Sequence, residues 1–154
     1  MPNRKPSRLP SGRPKALLLP MARDKASDLI LRTRLVLERI RRRDIDRGAI
    51  NHMAQICILS GYIARAGYGR VCPDRIEEVE QHLAHALLAF DGSDEIDGFS
   101  AALVEALTEV VNEYDHMLAT VRLELFAKAS DYLDHLLALA AKEPIPAPEA
   151  AVQC

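Results

Sequence analysis

The residues best spaced for metal chemistry are Glu113 and His116, which lie three positions apart. On a helix, this Glu-x-x-His spacing places both side chains on one face, as in di-iron helical bundles. Such a centre needs two of these pairs and two further carboxylates, whereas the sequence has one pair. Because Glu113 and His116 also fall towards the polar side of their predicted helix, we expect neither a metal nor another cofactor.

The cysteines give little support to nucleophilic or redox chemistry. Cys57, Cys72 and Cys154 are too far apart for a CxxC motif. Cys57 falls in an apolar helical run, where thiols are usually unreactive. His82 lies about three turns beyond Cys72 on the same predicted helix, too far to act as its base. We therefore expect three free thiols, a reducing cytoplasm and no enzymatic activity.

Charge is distributed very unevenly along the chain. Residues 1–47 carry 14 basic and 5 acidic residues, whereas residues 48–154 carry 6 basic and 17 acidic residues. An asymmetry of this size indicates an interaction arm that binds an acidic partner, either DNA phosphates or an acidic protein surface. The opposite interpretation is that the arm pairs with the chain's own acidic bundle. The candidate partner-binding or phosphate-binding residues are Arg4, Lys5, Arg8, Arg13, Lys15, Arg32, Arg39, Arg41, Arg42 and Arg43.

Proline and hydrophobic patterning divide the chain into three parts. Residues 1–22 contain five prolines among basic residues and are predicted to form a flexible arm. The apolar stretch 17–21 within it should dock on a groove of this molecule or of a neighbour. Residues 23–142 form the predicted helical domain, and residues 143–154 form a predicted disordered tail.

The apolar residues of the middle part follow the helical period of 3.6, which predicts an all-α antiparallel bundle of about five helices. The first three expected helices run from about 24 to 43, 46 to 66 and 73 to 90, and two more follow Ser100 and Thr120. Ser100 and Thr120 are the expected N-caps of the last two, and the second helix should be central because it is apolar on most faces. No apolar run is long enough to span a membrane.

Three leucines, Leu31, Leu35 and Leu88, fall outside the main apolar stripes of their helices. They are either ordinary exposed residues or part of a self-association face, which would make the protein a homo-oligomer.

Several short segments also carry a family resemblance. They are Leu17–Met21, Asn51–Ala54, Ala66–Gly69, Gln81–Leu87, Gly98–Ser100 and Tyr114–Leu118. In this order they resemble a loose family of short, mostly uncharacterised bacterial proteins from plasmids, prophages and chromosomal islands, over about residues 15–140. Some members are labelled transcriptional regulators. This sequence, however, lacks a pair of short helices joined by a tight glycine turn, so we expect no helix-turn-helix.

Together these features predict a non-enzymatic interaction protein of a bacterial mobile element, which presents a basic arm to an acidic partner such as DNA. The alternative is an adaptor or inhibitor that binds protein through apolar helix faces, without nucleic-acid contact.

Overall fold

The computed structural model describes residues 14–92, 96 and 98–142. Within that part, a short 3-10 turn precedes five α-helices, and the predicted all-α fold is confirmed. The turn spans Lys15–Leu18, and the helices are α1 (Arg23–Arg41), α2 (Arg47–Arg65), α3 (Pro73–Gly92), α4 (Ala101–Thr120) and α5 (Leu123–Lys142). The predicted tail and four of the predicted partner-binding residues lie outside the described residues, namely Arg4, Lys5, Arg8 and Arg13.

The helices pack as an antiparallel bundle in which α2 is central. Helix α2 contacts each of the other four helices and packs most extensively on α3. Helix α1 runs antiparallel to α4, since Arg34 of α1 bonds Asp115 while Arg41, two turns later, bonds Thr108. Helix α5 packs on the outside of α2, where the rings of Tyr62 and Tyr132 are 5.3 Å apart. The central position predicted for α2 is therefore confirmed.

The core is built from aliphatic side chains with few aromatic rings. Large residues from each of the first four helices are fully buried, among them Ile40, Ile63, Leu83 and Met117. Gly61 faces Ile76 of α3, and a β-carbon at this position would make an ordinary van der Waals contact at 3.6 Å. The close approach predicted from the small residues of α2 therefore does not require glycine here.

Two of the predicted capping residues can be tested directly. Ser100 accepts a hydrogen bond from the Leu103 N–H at 3.2 Å and caps α4, as predicted. The prediction that Thr120 caps α5 is wrong, because Thr120 is the last residue of α4. Its hydroxyl donates to the His116 carbonyl, as threonine often does inside a helix.

Helices α1 and α2 end in the same hydrogen-bonded motif. After α2, the N–H groups of Gly67 and Tyr68 donate to Ala64 and Ile63, with Gly67 at φ +91°. This Schellman motif requires a left-handed residue, which favours glycine. After α1, the corresponding residue is Arg43, at φ +61°. The sequence predicts correctly that Gly67 follows the end of α2. It places the end of α1 at Arg43, however, which is two residues beyond the observed end at Arg41.

Candidate interaction surfaces

The predicted arginines near the end of α1 are bonded within the chain. Arg39 donates to Asp44 and to Asp46, in each case at 2.9 Å. These hydrogen bonds lower the pKa of both carboxyl groups and raise the pKa of Arg39. Asp46 also caps α2 by accepting from the Ala49 N–H at 2.6 Å. Arg39 therefore holds the turn between α1 and α2 together.

The neighbouring arginines are also paired. Arg42 donates to Glu38 at 2.9 Å, and Arg41 donates to Thr108 of α4 at 3.0 Å. Arg34 binds Asp115 at 2.8 Å and thereby links α1 to the second half of α4. Each pair is at least partly exposed and so contributes little to stability. Together these pairs reduce the positive field that the sequence suggests for this helix.

Arg43 has a different environment from the other arginines. Its side chain runs past Gly98, where a β-carbon would lie 3.4 Å from Arg43 Cγ. Arg43 lines an open groove of about 660 Å³ between α1 and α4, together with Phe99, Val104, Glu105 and Glu109. The lining of the groove therefore includes apolar, cationic and anionic side chains. We call Arg39, Arg41, Arg42 and Arg43 the arginine end.

The segment that precedes α1 is fixed to the opposite end of the bundle. The carbonyl of Leu19 accepts from the Leu123 N–H at 2.8 Å, and Pro20 forms an antiparallel bridge with Arg122. Met21 packs against the core. The backbone at residues 19–21 is thus attached to the turn between α4 and α5, whereas the side chains of Leu18 and Leu19 remain exposed.

Several exposed side chains surround this attachment. Lys15 is exposed in the 3-10 turn, and Tyr68, Arg122 and Lys128 line one shallow depression. Lys128 is 3.7 Å from Glu124. Tyr68 is 46% exposed, so its ring is available for contact. We call Lys15–Met21 together with Tyr68, Arg70 and Arg122 the anchored end.

The two ends are well separated. Helix α1 has 19 residues, which corresponds to a length of about 28 Å. Lys15 lies near its beginning, and Arg39 to Arg43 lie at its end. Arg32 lies between them and is exposed. The predicted partner-binding residues that are described therefore do not form one continuous surface.

A buried carboxylate organises the loop that carries Tyr68. Glu113 is 3% exposed and accepts a hydrogen bond from the Arg70 N–H at 2.6 Å. Gly69, at φ +92°, allows this approach, because a β-carbon there would overlap Glu113 and Met117. The prediction that Glu113 faces the polar side of its helix is therefore wrong. Its partner is a backbone group 43 residues away, which helical periodicity does not reveal.

Within the described part of the chain, the histidines and cysteines are not gathered into one site. No cluster of three His, Cys, Asp or Glu side chains able to hold a metal occurs among the described residues. His52 bonds Thr33 at 3.0 Å, and burial lowers its pKa. Cys57 is a buried free thiol whose pKa burial raises to about 12, and Cys72 is an exposed free thiol. Cys154 lies outside the described residues.

The three leucines that fall outside the apolar stripes are exposed. Leu31 and Leu35 are 57% and 58% exposed on α1, and Leu88 is 72% exposed on α3. Leu137 and Leu139 near the end of α5 are each 48% exposed. Among the helices described, none is long and apolar enough to cross a membrane.

Comparison with protein-family models, with curated proteins and with solved structures finds no match to this chain.

Proposed function

We propose that this chain is a non-enzymatic interaction protein that presents a basic arm to an acidic partner, with DNA phosphate as the leading chemistry. The observation that carries the proposal is the attachment of residues 19–21 to the start of α5. Attachment of the arm at a fixed point reduces the entropy that is lost when its basic residues bind a partner.

The surroundings of the attachment support the same partner chemistry. Lys15 and Arg122 add positive charge beside the origin of the arm, and Tyr68 adds an exposed ring. Cations that track phosphates and rings that stack on bases are the common elements of nucleic-acid binding. The arginine end is a weaker candidate, since Arg39 and Arg42 are already bonded to carboxylates.

The sequence resemblance supports a bacterial mobile element as the source, and the three predicted free thiols support the cytoplasm as the place of action. An accessory or regulatory role in handling the element's DNA follows from that origin.

The test is fluorescence anisotropy of labelled duplex DNA with the full chain and with a chain that starts at Pro14. The shorter chain keeps Leu19 and Met21 in place and loses Arg4, Lys5, Arg8 and Arg13. We expect the full chain to bind at low salt and the shorter chain to bind roughly 100-fold more weakly, because four phosphate contacts are lost. Equal affinity of the two chains would contradict the role of the arm.

A second candidate function is supported by the exposed leucines. Leu31 and Leu35 form an apolar pair on α1 and would suit an adaptor or inhibitor that binds protein. This candidate predicts that neither chain binds DNA at low salt, and that capture of a protein partner is equal for the full chain and the Pro14 chain but is lost when Leu31 and Leu35 are replaced by Gln.

A further inference from the structure

The outward face of α1 carries an apolar pair between groups of opposite charge. Leu31 and Leu35 lie one turn apart in the middle of the helix, and both are more than half exposed. Asp24 and Asp28 precede them, and Arg42 follows them; all three are exposed. On a helix with 3.6 residues per turn, these positions fall on one broad face.

This arrangement is complementary to itself. If two copies of α1 pack antiparallel about a two-fold axis near residue 33, Leu31 of one copy meets Leu35 of the other. The same operation places Asp24 opposite Arg42, and Asp28 opposite Glu38, whose carboxylate is bonded to Arg42 of its own chain. Each pair then occurs twice, as a two-fold interface requires. We propose that the outward face of α1 is a self-association surface that binds a second copy of this chain.

The contacts that these side chains already make are compatible with the proposed dimer. Arg42 bonds Glu38, but its side chain remains 75% exposed, so its guanidinium has donors left for a second carboxylate. Glu38, at the edge of the face, is held by Arg42 and therefore does not stand as an unpaired like charge beside Asp28. The opposite side of α1 packs on α2 and α4, so the proposed contact leaves the bundle intact.

A contact between single helices is small, and we expect a dimer that exchanges with monomer. Sedimentation equilibrium of the full chain should therefore reach about 0.5 mM, since interfaces below about 1,200 Å² hold transient complexes. The expected result is a monomer–dimer equilibrium without any nucleic acid. A chain that stays monomeric over the whole series would overturn the proposal.

Two double variants compare the leucines of α1 with a matched pair elsewhere. Leu31→Gln with Leu35→Gln should weaken dimerisation by about tenfold or more, because the apolar centre is lost. Leu137→Gln with Leu139→Gln changes two similarly exposed leucines on α5 and should leave dimerisation unchanged. The proposal fails if the α5 variant weakens dimerisation as much as the α1 variant. Circular dichroism checks that each variant is folded.

Exchange of charges tests the orientation of the two helices. Asp24→Arg and Arg42→Asp should each weaken self-association by about tenfold, because two attractions per dimer become repulsions. In an equimolar mixture of the two variants, both pairs again join opposite charges, so a heterodimer of near wild-type affinity should form. A mixture no tighter than its separate components would overturn the antiparallel arrangement. These measurements use no DNA, so their outcome is separate from that of the proposed function.

Discussion

The two ends of the bundle both carry basic residues, but they use them differently. At the arginine end, Arg39 and Arg42 are bonded to carboxylates of the same chain. At the anchored end, Lys15 and Arg122 are exposed beside the attachment of the arm, while Arg70 lies 3.9 Å from the buried Glu113 and Lys128 lies 3.7 Å from Glu124. The same residue type therefore stabilises a turn at one end and remains available to a partner at the other. Charge counted along the sequence does not separate these roles.

The largest effect on stability is expected at the anchored end. Gly69→Ala should destabilise the fold by about 3 kcal/mol, because a left-handed alanine is strained and its β-carbon overlaps Glu113 and Met117. Gly67→Ala is the matched control, since Gly67 has a similar φ and open space around it. It should cost only about 1 kcal/mol. Urea unfolding of both variants measures the difference, and equal losses would show that Glu113 does not constrain the loop.

At the arginine end, a gain in stability is expected. Arg43→Gly should stabilise the fold by about 1 kcal/mol, because Arg43 occupies the left-handed position that glycine prefers. Arg42→Gly is the control, since Arg42 has φ −81° and bonds Glu38. This control should destabilise by a few tenths of a kcal/mol to about 1 kcal/mol. A loss of stability in Arg43→Gly would mean that the side chain of Arg43 holds the turn through its contact with Gly98.

The smallest effect concerns pH. Burial lowers the pKa of His52 below 6.5, so the unfolded chain takes up a proton more readily than the folded chain. Stability should be complete above about pH 6.5 and should decrease as pH falls through the folded pKa. His52→Gln should remove this decrease.

The bonded carboxylates of the arginine end titrate in a separate range. The pKa values of Asp44 and Asp46 lie below 3.8, because Arg39 donates to both groups. Their contribution is therefore present above about pH 3.8 and is lost only as pH falls through the lowered values. Urea midpoints of wild type and His52→Gln between neutral pH and about pH 5 isolate the histidine. Identical profiles would mean that another group causes the change.

Much of the fold could be predicted from local sequence signals. Helical periodicity gives the five helices, Gly67 gives the end of α2, and Ser100 gives the start of α4. The misplaced cap at Thr120 has a physical reason, because a threonine hydroxyl can bond either to a following N–H or to a preceding carbonyl. Sequence alone does not distinguish these two geometries.

The interaction surfaces were less predictable, because their character depends on contacts between distant residues. Arg41 bonds Thr108, and Glu113 bonds the backbone of Arg70. The exposed group of Tyr68 and Arg122 comes from two separate turns that only the fold brings together. The bonds of Arg39 are an exception, because its partners Asp44 and Asp46 follow it closely in the sequence and could have been predicted from it.

The most direct test of the role of the arm is the salt dependence of DNA binding for two variants with equal loss of charge. One replaces Arg4, Lys5, Arg8 and Arg13 with Gln, and the other replaces Arg32, Arg41, Arg42 and Arg43 with Gln. For each phosphate contact that is lost, the negative slope of log K against log salt concentration becomes shallower by about 0.9. We predict a slope reduced by roughly 3 to 4 for the arm variant and nearly unchanged for the α1 variant. A larger reduction for the α1 variant would contradict the proposed role of the arm.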